Sequence, residues 1–169
     1  MMSLPDSQLE CLYDTHAAGV FHYLHGIVRS EADAKDLLQE FFIKLSRLTL
    51  PDGLENERAY LLCIAHRLVI DWLRRHATRE RAEQTHPQVL FAPQDDPDAD
   101  RFARRVEAAL HELPPEQRSI AEMKLWQGLT FEQIAEVQQI PLNTAASRYR
   151  YALEKLRGLL RPLYDELKP

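Results

Sequence analysis

At 169 residues, with 45% hydrophobic and 28% charged side chains, the chain holds enough apolar material for one ample core or two small ones. Only five glycines, few β-branched runs and many Leu, Ala, Glu, Arg and Gln favour an all-helical protein, and the lack of any apolar run of roughly 20 residues excludes a helix that crosses a membrane. The net charge of −5 excludes a uniformly basic binder of nucleic acid, but the charge is unevenly spread.

Residues 1–57 carry ten acids against four bases, residues 58–81 six Arg against two acids, and residues 142–161 five bases against one acid. Two basic patches on an otherwise acidic chain are expected to hold DNA weakly by themselves. Cys11 and Cys63 form no CxxC pair and are expected as buried or half-buried thiols of a reducing compartment. No secretory leader is recognised, and a cytoplasmic location is expected.

Residues 7–28 predict a first amphipathic helix, with Leu9, Leu12, Tyr13, Ala17, Val20, Phe21 and Leu24 at helical spacing. His16, His22 and His25 fall on its flanks or surface. His22 and His25 lie one turn apart but lack the further ligands of a metal site, and none is expected. Ser30 caps a second helix over 31–48, with Asp33 where a capping box wants Glu. Its inward face is Ala34, Leu38, Phe41, Phe42 and Leu45, and its outward face shows Asp33, Asp36, Gln39, Glu40 and Lys44. Pro51-Asp52-Gly53 then makes a loop through about Asn56.

A third helix is predicted over 57–81, with a core of Leu61, Ile64, Ala65, Leu68 and Leu73. Tyr60, His66, Arg67, Trp72, Arg74 and Arg75 interleave rings and cations on this element. That mixture suits single-stranded nucleic acid, where rings stack on unpaired bases and cations follow the backbone. The alternative is that the two large rings complete the core and the Arg run is a solvated helix end.

From 82 to 100 the pattern dissolves into Gln, His, three prolines and four aspartates, the composition of a flexible acidic linker. A second domain is expected over 101–169, after a first over 1–81. One helix covers Phe102 to Leu113 and ends at Pro114-Pro115. The next runs from Glu116 to about Gln127, with Ile120, Met123 and Leu125 apolar, and Gly128 stops it.

Residues 129–156 then read as two short helices about a tight corner. Thr130 and Gln133 have the spacing of a capping box, Ile134 and Ala135 supply a buried face, and Gln138-Gln139-Ile140-Pro141 turns the chain. The following helix carries Ala145, Tyr149, Ala152 and Leu156 as one inward stripe. Asn143, Thr144, Ser147, Arg148, Arg150 and Tyr151 are left for the outer face, groups that read base edges and grip phosphates. This is the pattern of a helix-turn-helix whose second helix is the reader. An ordinary helical hairpin with a solvated Arg face is the competing reading. Residues 162–169 read as a short tail.

Taken in order, DAKDLLQEFFIKL at 33–45, AYLLCIAHRLVIDWLRR at 59–75, LHELPPEQRSI at 110–120 and the helix-turn-helix resemble the two-domain sigma factors of bacterial RNA polymerase, in the extracytoplasmic-function group. The resemblance covers about Leu9 to Leu160. It implies two small helical domains joined by a linker, the first docking on core polymerase and melting promoter DNA, the second reading an upstream duplex element. It places Asp36, Gln39 and Glu40 on the polymerase. It places Asn56, within the loop 54–57, beside a pocket for a base turned out of the stack, and Tyr60, His66, Arg67, Trp72, Arg74 and Arg75 in the strand-opening segment. It makes residues 143–151 the upstream-element reader. No cofactor is implied, and no catalytic residue, because the chemistry belongs to the polymerase. Many members of the group are held inactive by an anti-sigma protein, which makes such a protein a candidate partner beside core polymerase and promoter DNA.

Three departures stand out. Arg67 occupies a position where many members have Asn, and Ala145-Ala146 replaces a common Val-Lys. Gln138-Gln139 replaces a common Leu-Gly, so Gln139 must adopt positive φ or shift the turn. A different recognition sequence with the same mechanism is expected. The rivals are a freestanding helix-turn-helix regulator, for which no dimerisation seam is visible, and a helical adaptor for acidic partners. No Ser/His/Asp order, Gly-rich phosphate loop or paired metal ligands support an enzyme.

Overall fold

The computed structural model describes residues 4–51, 53–77 and 97–167, among which seven α-helices and no strand are found. The first, α1, spans Asp6–Val28 and α2 spans Glu31–Ser46; α3 spans Glu57–His76. The second half holds α4 (Pro97–His111), α5 (Pro115–Leu125), α6 (Phe131–Gln138) and α7 (Leu142–Leu167). In the first half α1, α2 and α3 pack on one another, and in the second α7 lies against α4, α5 and α6.

Local chemistry places the helix ends. Ser30 accepts from the Asp33 amide at 3.2 Å, and Asn56 accepts from the Ala59 amide at 2.9 Å, so each starts its helix by satisfying an orphan N–H. α1 ends where Arg29 turns left-handed and its amide returns to the His25 carbonyl. Gly128, at φ +66, turns the chain after α5, and the Leu129 amide closes the turn on the Met123 carbonyl.

The core follows the predicted stripes with shifts of one position. In α1, Leu12, Ala17, Val20 and Leu24 are buried as expected, but Tyr23, Ile27 and Val28 join them and Tyr13 is 53% exposed. In α2 Leu37 is buried, while Leu38 and Phe42 pack only partly against the core. In α3 Leu62 and Val69 are buried, and Ile64 and Leu73 sit at the margin. A helix over-winds a strict heptad by about 20° per seven residues, so a periodic pattern fixes the face to within one neighbour. In α5 Ile120 and Met123 are buried, but Leu125, expected with them, is 47% exposed, and Leu129 beyond the helix is buried instead.

Four further expectations are corrected. His25, expected at the surface, is buried beneath the second half of the molecule. Cys11 is exposed rather than buried, and Cys63 is half-buried. The last residues of the segment read as linker, 97–100, already belong to α4. The supposed tail continues α7 through Pro162 to Leu167. The residue four positions before that proline, whose carbonyl the ring crowds, is Gly158, which carries no side chain to add to the crowding. Leu163 is buried, and Arg105 and Arg101 reach Glu166 at 3.6 and 3.8 Å, which ties the extension to α4. Residues 78–81 of the third predicted helix and 82–96 of the predicted linker lie outside the described residues.

The two halves are packed against each other. α1 lies on α5 and α3 lies on α6, and one apolar cluster runs from Leu12, Leu24 and Leu62 to Ile120, Met123 and Ile134. A second, smaller cluster holds Ala109, Leu113, Ala121, Ala152 and Leu156 within the C-terminal half.

Candidate nucleic-acid interface

The corner between α6 and α7 is built by the groups the sequence singles out. Gln133 donates its amide to Thr130 Oγ1 at 3.2 Å, and its side-chain oxygen accepts from the Thr130 amide at 2.9 Å, a complete capping box. Gln139 takes the left-handed conformation, φ 54 and ψ 48, so the turn keeps its shape without glycine. Ile140 then donates to the Ala135 carbonyl at 3.0 Å, and Pro141 accepts from Ala145 at 3.1 Å to begin the next helix. Gln138 turns back to Ser119 Oγ at 2.8 Å and fixes the corner to α5.

Ala145, Ala152 and Leu156 are buried, and Tyr149 meets Phe131 edge-on with ring centroids 5.4 Å apart. That inward stripe orients the rest of α7. At 3.6 residues per turn, Asn143, Ser147, Arg150 and Tyr151 share an arc of roughly 100° on the opposite side, with Thr144 and Arg148 on its flank. Asn143, Arg150 and Tyr151 are exposed. The Arg150 guanidinium lies 5.1 Å from the centre of the Tyr151 ring, and Ser147 is tied to the Thr144 carbonyl. The face is a cation, an amide and a ring, with a hydroxyl between them, presented from a rigid element: the donor set that meets base edges and phosphates in a groove.

The strand-opening candidates on α3 divide into two sets. Arg67, Arg74 and Arg75 are exposed. Arg74 stands 3.7 Å from Asp71, and Arg75 donates from Nε to the Asp71 carbonyl. Trp72 is half-buried, packed on the core with one face stacked on His76 at 4.2 Å. Tyr60 is half-buried against the same core. His66 turns inward: its Nδ1 is 2.8 Å from the hydroxyl of fully buried Tyr23. Burial, with the Arg67 charge adding to it, pushes the His66 pKa down to about 4, so the ring is neutral near pH 7. The surface therefore gathers three guanidiniums and the edges of two rings, and His66 belongs to their support. Asn56 spends its side-chain oxygen on the α3 cap.

On α2, Asp36 and Gln39 are exposed, whereas Glu40 stands 3.4 Å from Lys44 one turn on. Gln39 borders a groove between α1 and α2 lined by Leu9, Tyr13, Leu38, Phe42 and Ile43. Tyr13 and Phe42 meet there with centroids 4.9 Å apart. A face with hydrogen-bonding side chains beside apolar ones has the make-up of a protein-binding patch.

Sequence reasoning missed Arg118. It is 5% exposed and donates to the carbonyls of Leu110, His111 and Leu113 at the end of α4, and to Ile27 at the end of α1. Two helix C-termini, each carrying partial negative charge, converge on one guanidinium. An Arg in the first turn after a Pro-Pro helix break was the available signal.

The model of sigma-70 region 2 matches residues 12–79 and that of sigma-70 region 4 matches residues 103–156. RNA polymerase sigma factor CarQ of Myxococcus xanthus is 32% identical over 162 residues, covering 94% of this chain and 92% of its own. ECF RNA polymerase sigma factor SigX of Bacillus subtilis is 26% identical over 172 residues, covering 96% and 88%. The fold resembles that of sigma factor RpoE of Bartonella quintana, solved in complex with the anti-sigma factor NepR, with a TM-score of 0.75 at 19% identity over 92% of this chain and 98% of that one.

Proposed function

The chain belongs to the extracytoplasmic-function group of the sigma-70 family, factors that confer promoter specificity on bacterial RNA polymerase, and on that premise we propose how its surfaces divide the work. The exposed face of α7 enters the major groove of an upstream promoter element, with Arg148 and Arg150 as its cations, Asn143 as the amide that pairs with a base edge, and Thr144, Ser147 and Tyr151 beside them. Arg67, Arg74 and Arg75 follow the phosphates of the opened strand, while the ring edges of Tyr60 and Trp72 meet its bases. Asp36, Gln39 and Glu40 face core polymerase, with the α1–α2 groove beside them. His66 and Asn56 hold the strand-opening helix in place rather than touching DNA.

The carrying observation is the capped corner at Gln139, which fixes α7 with its polar face outward and its small residues in. The chain supplies position and charge, and the polymerase supplies the nucleotidyl transfer, so its own action is non-enzymatic and takes place in the cytoplasm with the polymerase. An anti-sigma protein is proposed as a further partner, on the precedent of the Bartonella quintana complex.

The test is assembly of the chain with core polymerase, followed by permanganate detection of unpaired thymines on promoter DNA. Open complexes that form with the parent and are lost in an Arg67→Ala, Arg74→Ala, Arg75→Ala triple variant that still joins polymerase support the assignment. Full opening by that variant refutes it.

A further inference from the structure

The seam between the two halves is unusually polar for a shared core. α1 offers bare backbone at Gly19 and Gly26, two turns apart on one face, and α5 and the turn after it lay side chains there. A methyl group at Gly26 would stand 2.6 Å from Glu122 Oε1 and 2.8 Å from its Cδ, so the carboxyl rests directly on the α1 backbone. At Gly19 the amide of Gln127 donates to the backbone carbonyl at 3.1 Å. Arg58 donates to the Gln127 carbonyl and Arg118 to that of Ile27, both at 3.2 Å and both across the seam.

We infer that this seam is a proton-operated latch: the halves close around Glu122 in its neutral form, and loss of that proton loosens them. Glu122 is 3% exposed, and its Oε2 has no hydrogen-bond partner among the described residues. Oε2 stands 3.5 Å from His22 Nδ1. Ionised, the carboxyl would bring a charge into a site shut off from water, where the loss of hydration outweighs the pull of Arg118. Opening returns it to water.

The titratable and charged groups around it come from α1, α2, α4 and α5. His22 and the Tyr23 hydroxyl of α1, Glu107 of α4 and Arg118 of α5 act on it directly, while His25 of α1, Glu31 of α2 and His111 of α4 surround His22 and Glu107. Burial pushes the Glu122 pKa up to about 8 against the pull of Arg118, with Glu107 adding to the rise. Burial also lowers both His22 and His25, so the His22–Glu122 contact is one between neutral groups near pH 7.

The signs follow. Glu122 has a higher pKa closed than open, so closing takes up a proton, and its contribution is lost as pH rises from the ordinary carboxylate range to about 8. His22 and His25 have lower pKa values closed than open, so closing expels protons, and their contribution is lost as pH falls through 6.5. Below pH 6.5 the two contributions oppose each other, and above it only that of Glu122 changes. Above it, Glu122 alone lowers the closed-to-open ratio by nearly tenfold per pH unit at first and less as pH nears 8, roughly fifteenfold in all by pH 8. The consequence for initiation rests on the function proposed above, since parted halves are free to reach separated promoter elements. The latch itself is tested without polymerase or DNA.

The experiment follows the Glu122 carboxyl by carbon-13 NMR in the full chain, its resonance identified by its loss in Glu122→Gln. X-ray scattering gives the radius of gyration alongside. In the parent the carboxyl should titrate near pH 8. In Gly26→Leu, whose side chain wedges the seam while keeping a helix former in α1, the radius should rise and the Glu122 midpoint should fall into the ordinary carboxylate range. An ordinary midpoint in the parent overturns the latch. So does a Gly26→Leu chain that stays compact, or one that opens and leaves the midpoint near 8. Should Gly26→Leu lose its helical dichroism, the parent titration alone still decides.

Discussion

The hydroxyl of Tyr23 on α1 and Nδ1 of His66 on α3 stand 2.8 Å apart, with the phenol fully buried. The pair joins two helices of the first half and takes the imidazole out of the exposed set on α3. Because the folded pKa of His66, about 4, lies below the ordinary 6.5, the unfolded chain binds the extra proton between those values. Stability contributed by the neutral ring is present above pH 6.5 and lost as pH falls toward 4, by about 3 kcal/mol at most. Urea unfolding at pH 7 and pH 4.5 should show this loss in the parent and a smaller one in His66→Gln.

Gln139 offers a stabilising change. Its φ of 54 costs an L-residue about 1 kcal/mol that glycine does not incur. Gln139→Gly should raise the melting temperature of the C-terminal half while leaving DNA binding intact, since Gln139 lies off the reader face. A drop in stability would mean that its side chain holds the corner in some other way.

At the reader helix, Arg148→Ala and Arg150→Ala are each expected to weaken promoter binding in the holoenzyme. The loss should be about 1–3 kcal/mol where a base is held in bidentate fashion. A phosphate contact would instead lower affinity on every sequence and reduce the salt slope by roughly one. Binding isotherms on promoter and scrambled duplexes at two salt concentrations separate these outcomes.

The docking face is tested with Gln39→Ala and Glu40→Ala. Gln39 is exposed, and Glu40 contributes only a surface pair with Lys44, worth well under 1 kcal/mol, so dichroism and stability should hardly change. Association with core polymerase should weaken. Unaltered association would move docking to other residues, with the groove at Tyr13, Phe42 and Ile43 next in line.

What could be read from the sequence was what depends on neighbours along the chain. The Thr130–Gln133 capping box and the Ala145–Tyr149–Ala152–Leu156 stripe are settled within a turn or two of backbone and stand as their spacing implies, and Gln139 takes the first of the two alternatives left open for it, positive φ. What escaped depends on partners far along the chain. Nothing within α1 says that His25 will be buried beside Glu107 and His111 of α4, and nothing near Arg118 says that two helix ends will converge on it. Leu37 and Leu38 have equal claims by hydropathy, and only the position of α1 and α3 decides between them. Pro162 reads as a terminator because the rule concerns its own helix, whereas Glu166 is held by Arg101 and Arg105 of α4.

The most direct measurement is transcription of fragmented chromosomal DNA from the source organism by core polymerase with and without the chain, with the 5′ ends of the transcripts sequenced. The account expects a discrete set of start sites that appears only with the chain and shares two sequence elements at fixed spacing. Arg148→Ala or Arg150→Ala should relax the upstream element without altering the other. A folded chain that joins polymerase yet leaves the 5′ ends distributed as with core enzyme alone would contradict it.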